Sequence, residues 1–393
     1  MSLRQKIIQL NSIITFIGFL DTHLLIPIIA LYATSLGANI GTVGLIVGLY
    51  SVTNIITNIL GGRWIDKLGY KAPLILGLCG DAIAMFLYTL CQAPWHLALV
   101  RAFHGFSGGL VGPATMSIMA KYAQPQGKGR AMSFYGIALA ASTLIGYGAG
   151  GAIASHLGYP FLFYIGSALL FVGAILASII SPPKTSIVSE RKTPSYNLKH
   201  IVGLLTRNKL STSYVSVFAQ YFSFGGVVAL LPLYISTLGM EAFHVGILLA
   251  IFSLLFIIVQ FLGGRVSDRK GRLTPAAIGL GLGMIALILM PLSPNFTTLV
   301  IVMALYGIGY GVLFPSISAL LVDYTSPEEY GIATGVFHAL ITVGVAVGAP
   351  IIGWIASSTG VRIGLTIIFI IFIPALVMTL INLREKSANK IAS

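Results

Sequence analysis

The chain has 393 residues, 56% hydrophobic and only 8% charged, with a mean hydropathy of +0.95 and a formal net charge of +13. Soluble domains are about 25% charged, so this composition excludes an ordinary water-facing surface and makes lipid the main solvent. The two cysteines, Cys79 and Cys91, would lie about 18 Å apart on one helix, too far for a disulfide, and no metal or redox spacing accompanies them.

A helix of about 20 apolar residues spans a bilayer. Twelve such segments are expected, at 10–33, 41–61, 72–92, 95–119, 131–155, 160–180, 210–236, 243–263, 273–291, 297–320, 332–356 and 361–382. No hairpin signals or alternating ten-residue segments suggest a barrel. The apolar run from Leu10 is too long for a cleaved signal peptide, and no small-residue cleavage site follows it.

The first span carries Asp21, with His23 beside it on another face. "GGRWIDKLGYK" (Gly61–Lys71) follows the second span. Asp81 lies in the third. The fourth contains "LVRAFHGFSGG", with Arg101 and, one helical turn on and on the same face, His104. The fifth contains "STLIGYGAGG" (Ser142–Gly151). A polar stretch at 181–209, with Pro182-Pro183 and mixed charges, separates the halves. The seventh span holds Gln220, Tyr221 and Ser223. "GGRVSDRKGR" (Gly263–Arg272) follows the eighth. The tenth holds Tyr306, Tyr310 and Phe314, and "SPEEYG" (Ser326–Gly331) precedes the eleventh, where His338 reads as a packing residue.

With twelve spans and both ends on one side, every Lys and Arg except Arg101 and Arg362 falls on that side. This positive-inside bias places both termini in the cytoplasm. The basic charge therefore reports topology and contact with anionic lipid headgroups, and no nucleic-acid partner is expected.

An offset of 202 residues recurs along the chain. "LYATSLG" (Leu31–Gly37) matches "LYISTLG" (Leu233–Gly239). Gly62, Arg63, Asp66 and Gly69 match Gly264, Arg265, Asp268 and Gly271. Gly105, Gly109 and Pro113 match Gly307, Gly311 and Pro315. Shared glycine bias explains single matches but not the Asp66/Asp268 pair in register. Six spans separate the copies, so both have the same membrane orientation. The expectation is an all-α membrane protein of two parallel six-helix repeats, 1–180 and 210–393, joined by a cytoplasmic linker at 181–209. Such repeats suit alternating access by rocking of two bundles.

The two charged loops resemble the signature loop of the major facilitator superfamily. Gly62, Asp66, Lys67, Gly69 and Lys71 carry the pattern once, and Gly264, Asp268, Arg269, Gly271 and Arg272 carry it again. The resemblance covers the whole chain. It implies the major facilitator fold, a gating role for these loops with Arg63 and Arg265, and a central cavity lined by the first and fourth spans. Physically, Gly62 and Gly69 allow tight turns and close backbone approach. Asp66 can meet the positive end of a helix or a basic side chain. Glu328 and Glu329 can pair with Arg265, Arg269 or Arg272 as a cytoplasmic latch. The fifth span resembles the antiporter motif of drug exporters in Gly146, Gly150 and Gly151, but Tyr147 stands where that motif has proline.

Charges inside a membrane are costly and mark cavities or pairs. Asp21 and Arg101 are the leading candidates. The resemblance implies proton coupling through such an acid and arginine. An aspartate held by arginine stays ionised; moved away into apolar surroundings it takes a proton. Asp81 can pair with Arg101 across adjacent helices, and His104 can share the proton. In the second half the cavity wall would carry Gln220, Tyr221, Tyr306, Tyr310 and Phe314, an aromatic surface suited to amphipathic substrates. No zinc-site, Ser-His or paired-carboxylate pattern supports an enzyme, no P-loop supports nucleotide use, and no metal or other cofactor is expected. The functional expectation is a monomeric proton-coupled exporter of small amphipathic or drug-like compounds in the cytoplasmic membrane. The alternative is a transporter of a sugar, metabolite, siderophore or lipid.

Overall fold

The computed structural model describes residues 3–122, 128–180, 198–326 and 329–391, and among these the secondary structure is helical throughout. The helices are α1 Leu3–Leu25, α2 Ile29–Ser35, α3 Ile40–Leu68, α4 Lys71–Tyr88, α5 Pro94–Tyr122, α6 Lys128–Leu157, α7 Tyr159–Ile179, α8 Leu198–Thr206, α9 Asn208–Thr237, α10 Ala242–Lys270, α11 Leu273–Leu289, α12 Phe296–Asp323, α13 Tyr330–Thr359, α14 Val361–Ile367 and α15 Phe372–Ile391.

The repeat is visible in the helix starts. α3 to α7 begin at 40, 71, 94, 128 and 159, and α10 to α14 begin at 242, 273, 296, 330 and 361, each displaced by 202 residues. The chain reversals follow the same rule. Gly37, Gly69 and Gly158 have φ of 90°, 75° and 85°, and Gly239, Gly271 and Gly360 have φ of 75°, 85° and 89°. Only glycine takes this left-handed backbone without a Cβ penalty, so each copy breaks its helices at the same residues.

Helix crossings are also set by glycine. A Cβ on Gly109 of α5 would lie 2.8 Å from the Asn54 carbonyl of α3, and one on Gly311 of α12 would lie 2.9 Å from the Phe256 carbonyl of α10. Small residues thus bring backbones together where lipid supplies no hydrophobic drive. α1 packs on α6 as α9 packs on α13, and α4 packs on α5 as α11 packs on α12.

Two compact units result: Met1–Lys192 with Gly239–Ala250, and Thr193–Leu238 with Ile251–Ser393. Of the expected linker, 181–197 lies outside the described residues, while α8 and the start of α9 group with the second unit. Large apolar side chains such as Ile175, Phe261 and Trp354 are exposed, which water disfavours and lipid tails accept.

Eleven of the described helices or helix pairs are long and apolar enough to cross a membrane. α5 has the length but is not among them; Arg101, His96, His104 and its glycines lower its hydropathy. The first expected span is not continuous. It breaks at 26–28 around Pro27, which has no N–H to donate and whose ring crowds the preceding turn. The last is α14, a 3-10 turn at Ile368–Ile371, and α15.

Candidate functional site

α1, α4 and α5 bring Asp21, Asp81, Arg101 and His104 together, with exposures of 1%, 1%, 4% and 0%. The pairing differs from the sequence expectation. Asp21 Oδ2 lies 2.8 Å from His104 Nε2, not on Arg101. Asp81 does not pair with Arg101 either. Its Oδ1 accepts from Ser107 Oγ at 2.5 Å and lies 3.8 Å from the same imidazole nitrogen. Arg101 turns away instead. Its Nε donates to the Ile46 carbonyl of α3 at 3.4 Å, and its guanidinium sits 4.8 Å from the Tyr50 ring centroid.

Tyr88 fixes the imidazole from behind, with its hydroxyl 3.0 Å from His104 Nδ1. An ionised Asp21 accepts, so Nε2 carries the proton toward it, and in the neutral ring Nδ1 accepts from Tyr88. The Tyr88 carbonyl is held in turn by the Tyr32 hydroxyl at 2.7 Å. Tyr50 stands between the two basic groups, its ring 5.1 Å from that of His104 and its hydroxyl 3.1 Å from Thr22 Oγ1. The positions 21, 81 and 104 form no metal-ligand spacing in sequence. Folding nevertheless places a ligand atom from each within 4.8 Å of the others.

In front of this cluster lies a cavity of about 500 Å³ within the first unit, lined by Phe19, Thr22, His23, Tyr50, Asn54 and Tyr135 among others. Sequence reading missed most of these. His23, set aside as facing elsewhere, points at α6, 3.3 Å from Ser142 Oγ and 3.2 Å from Thr143 Oγ1. Its ring meets Tyr147 edge-on at 5.5 Å. The signal available for Tyr50, Asn54 and Asn58 was polar residues four apart in an apolar helix.

The second unit carries the counterpart at the same register. Ser223 replaces Asp21 and Tyr306 replaces His104, and their hydroxyls lie 2.8 Å apart. Phe252 replaces Tyr50, with its ring 5.2 Å from Tyr306. Tyr310 lies 2.9 Å from both the Ser223 and the Tyr306 hydroxyls and donates to the Gln220 carbonyl. Gln220 is fully buried, and neither its Nε2 nor its Oε1 has a partner among the described residues. Tyr221 and Phe314 complete the aromatic cluster, 6.5 Å apart. The expected aromatic wall is therefore a hydrogen-bonded, neutral version of the first unit's charged cluster.

A family model described as Major Facilitator Superfamily matches residues 12–297 and 213–393. The chain belongs to the major facilitator superfamily. Among relatives, Multidrug resistance protein 2 of Bacillus subtilis is 22% identical over 387 residues, covering 97% of this chain and 96% of that protein. The Staphyloferrin B transporter of Staphylococcus aureus is 26% identical over 352 residues, covering 85% of this chain and 82% of that one. A bacterial homologue of the human lysosomal transporter Spinster, in an inward-facing and unoccupied conformation, superposes with a TM-score of 0.83 at 14% identity, covering 97% of both chains. This superfamily member is thus a multi-pass membrane transporter rather than an enzyme.

Within this superfamily fold the signature loops take a different form from the expected tight turns. Gly62 and Gly264 lie inside α3 and α10, and a Cβ on Gly62 would meet nothing within 4 Å. The turns are made at Gly69 and Gly271. The side chains of Arg63 and Asp66 lie outside the described residues, as does Glu328. Lys67, Arg265 and Arg269 are exposed and Lys71 is half-buried. The expected latch is re-partnered. Glu329 takes Arg207 in two hydrogen bonds of 2.8 and 3.0 Å, because α9 starts beside α13. Arg272 donates to Asp323 at 2.9 Å and to Asp268, and Asp323 first, then Asp268, holds its guanidinium above the usual arginine range. The glycine motif of α6 packs as expected for close approach. A Cβ on Gly146 or Gly150 would strike the backbone at His23 or Leu24, and one on Gly151 the backbone at Ala242 and Gly246. Tyr147, in the proline position, is buried. His338, expected to be a packing residue, is exposed.

Proposed function

We propose that this transporter is a proton-coupled exporter of small amphipathic compounds in the cytoplasmic membrane, a monomer with twelve spans, both termini inside and two halves that alternate access. The observation carrying this reading is the Asp21–His104 pair of 2.8 Å, buried behind the cavity of the first unit. Two carboxyl groups, one guanidinium and one imidazole reach neutrality when they share one exchangeable proton. An unbalanced charge in an apolar slab is expensive. The closed cluster therefore favours holding one proton, and a state that admits water can release it. Coupling follows if substrate entry and proton release need the same opening. The rings of Phe19, Tyr50 and Tyr135 suit an apolar body, and the similarity to Multidrug resistance protein 2 of Bacillus subtilis supports drug-like cargo.

A second reading is export of a polar metabolite such as a siderophore. Thr22, His23, Asn54 and Asn58 on the cavity wall and the Staphylococcus aureus relative support it. Purified protein in proteoliposomes with an imposed pH gradient tests the first reading. Transport of a lipophilic dye should follow the gradient in the wild type and lose that dependence in Asp21→Asn. Dye flux indifferent to both gradient and substitution sinks proton-coupled export, and flux of a carboxylate siderophore with no dye flux selects the second reading.

A further inference from the structure

The second unit holds a cavity of about 450 Å³ at the end of its helices opposite the signature loop, lined by Tyr234, Pro294, Gly360, Val361 and Arg362 among others. Every residue of its wall belongs to that unit. Three connections meet there: the end of α9, the turn between α11 and α12, and the Gly360 joint between α13 and α14. Of all the Lys and Arg side chains, only Arg101 and Arg362 fall outside the charge bias. Arg101 is buried, whereas Arg362 is exposed.

The duplicated register shows what the fold itself needs at this corner. In the first unit the Tyr32 hydroxyl donates to the Tyr88 carbonyl at 2.7 Å. Its counterpart Tyr234 places its hydroxyl 3.0 Å from the Pro291 carbonyl and 2.9 Å from that of Ser293, so a tyrosine closes the turn in both copies. Where the first unit has Tyr159 and Pro160, the second has Val361 and Arg362. The Tyr159 ring lies 5.0 Å from that of Tyr32. Val361 brings no ring to Tyr234, and both residues line the cavity. Proline at the register of Arg362 means that the corner folds without a charge there. Arg362 Nε donates to the Pro291 carbonyl at 2.8 Å, which fixes the plane of the guanidinium. Among the described residues its terminal nitrogens have no hydrogen-bond partner and no carboxylate pairs with them. A guanidinium held this way presents a fork of N–H donors suited to an oxyanion.

We propose that this cavity binds the headgroup of an anionic membrane lipid, with the Arg362 guanidinium on the phosphate oxygens. Arg362 is the one charged residue of the wall. A zwitterionic headgroup brings its own cation to the phosphate, so an unpaired guanidinium favours a lipid of net negative charge. The volume is larger than a lone phosphate needs and suits a small organic group. Leu292 and Ile363, beside the site in sequence, are 60% and 53% exposed, and lipid tails accept such apolar side chains. Under the proposed topology the lipid belongs to the outer leaflet, the side without the other exposed Lys and Arg. Bound there it braces three connections of the second unit, and a ligand of the folded state raises the thermal midpoint. The inference is independent of cargo and of proton coupling.

The full chain, purified in detergent, is heated with increasing dioctanoyl phosphatidylglycerol, dioctanoyl phosphatidylcholine or inorganic phosphate. The reading is the concentration that half-saturates the rise in thermal midpoint. Phosphatidylglycerol should act at about tenfold lower concentration than phosphatidylcholine, the scale of one charge-assisted hydrogen bond. Inorganic phosphate should have little effect at the same concentrations. Arg362→Gln should remove the preference for phosphatidylglycerol. Val361→Tyr, which installs the first unit's residue at that register, should weaken phosphatidylglycerol about tenfold with the arginine in place. Lys6→Gln, which removes an exposed charge in the first turns of α1, should change nothing. Equal action of the two lipids on the wild type, or a preference that survives in Arg362→Gln, overturns the proposal. If Arg362→Gln does not fold, unchanged half-saturation in Val361→Tyr does so. An equal loss in Lys6→Gln overturns it in favour of diffuse charge attraction, and protection by inorganic phosphate equal to that by phosphatidylglycerol overturns the lipid assignment.

Discussion

The contacts Asp21–His104 and Ser223–Tyr306 occupy one register, are both buried and both measure 2.8 Å. They differ in charge, so a pair of double-mutant cycles isolates what charge contributes. In the first unit the variants are Asp21→Asn, His104→Asn and both together. In the second they are Ser223→Ala, Tyr306→Phe and both together. A hydrogen bond to an ionised group is worth about 1.5–3 kcal/mol and a neutral one about 1 kcal/mol. Removing one member of a buried ionic pair costs about 3–5 kcal/mol, because the other charge is left uncompensated. Each single variant of the first pair should thus lose about 3 kcal/mol, with the double variant well short of their sum and a coupling energy of about 2 kcal/mol. The second cycle should give about 1 kcal/mol, reduced further because Tyr310 lies 2.9 Å from both hydroxyls and can substitute for a lost partner. The assay is denaturant unfolding of the full chain in micelles at neutral pH. A first coupling no larger than the second would refute the reading of Asp21–His104 as an ionic contact.

Gly62→Ala should be neutral or stabilise by up to about 1 kcal/mol, since the position is helical with open space around it; a clear drop in thermal midpoint would restore a close-approach role for that glycine. Gly109→Ala should destabilise by about 1–3 kcal/mol, because its Cβ would stand 2.7 Å from Thr57 Cβ and 2.8 Å from the Asn54 carbonyl. Arg207→Ala breaks the two bonds to Glu329 at a site where the arginine is 44% exposed, so thermal unfolding should register less than about 1 kcal/mol, shrinking further in molar salt. The Glu329 hydrogen bonds hold the Arg207 guanidinium above its ordinary range. A raised folded value means the contact is fully present below the unfolded arginine range and is lost only above it. A pH titration between 6 and 9, roughly the working range of such assays, should therefore show no loss of this contact through the arginine.

The repeat was the most legible feature, because register survives in glycine, proline and aspartate even where the apolar filling drifts. Helix starts displaced by 202 residues and the three pairs of left-handed glycines follow from it. Partner choice was not legible. Arg101 and His104 are one turn apart on the same face of α5, and spacing cannot say which of them meets Asp21. The side-chain path decides: Arg101 reaches the Ile46 carbonyl and Tyr50, leaving the shorter imidazole opposite α1. Glu329 was likewise assigned by charge to the arginines of the second signature loop, while the start of α9 supplies Arg207 at 2.8 Å. The cavity escaped because Gly18, Gly108 and Gly112 are part of its wall, and an absent side chain leaves no periodicity to read.

The neutral character of the Ser223–Tyr306 pair has an electrical consequence. Moving one elementary charge through a membrane potential is worth about 2.3 kcal/mol per 100 mV. Under the proposed coupling, the Asp21–His104 pair of the first repeat is where that field does work by way of a proton. The second repeat, with hydroxyls at the corresponding places, is electrically silent at its core. The voltage dependence of the transport cycle would then be written by one half of a duplicated protein, and the other half would move without drawing on the membrane potential.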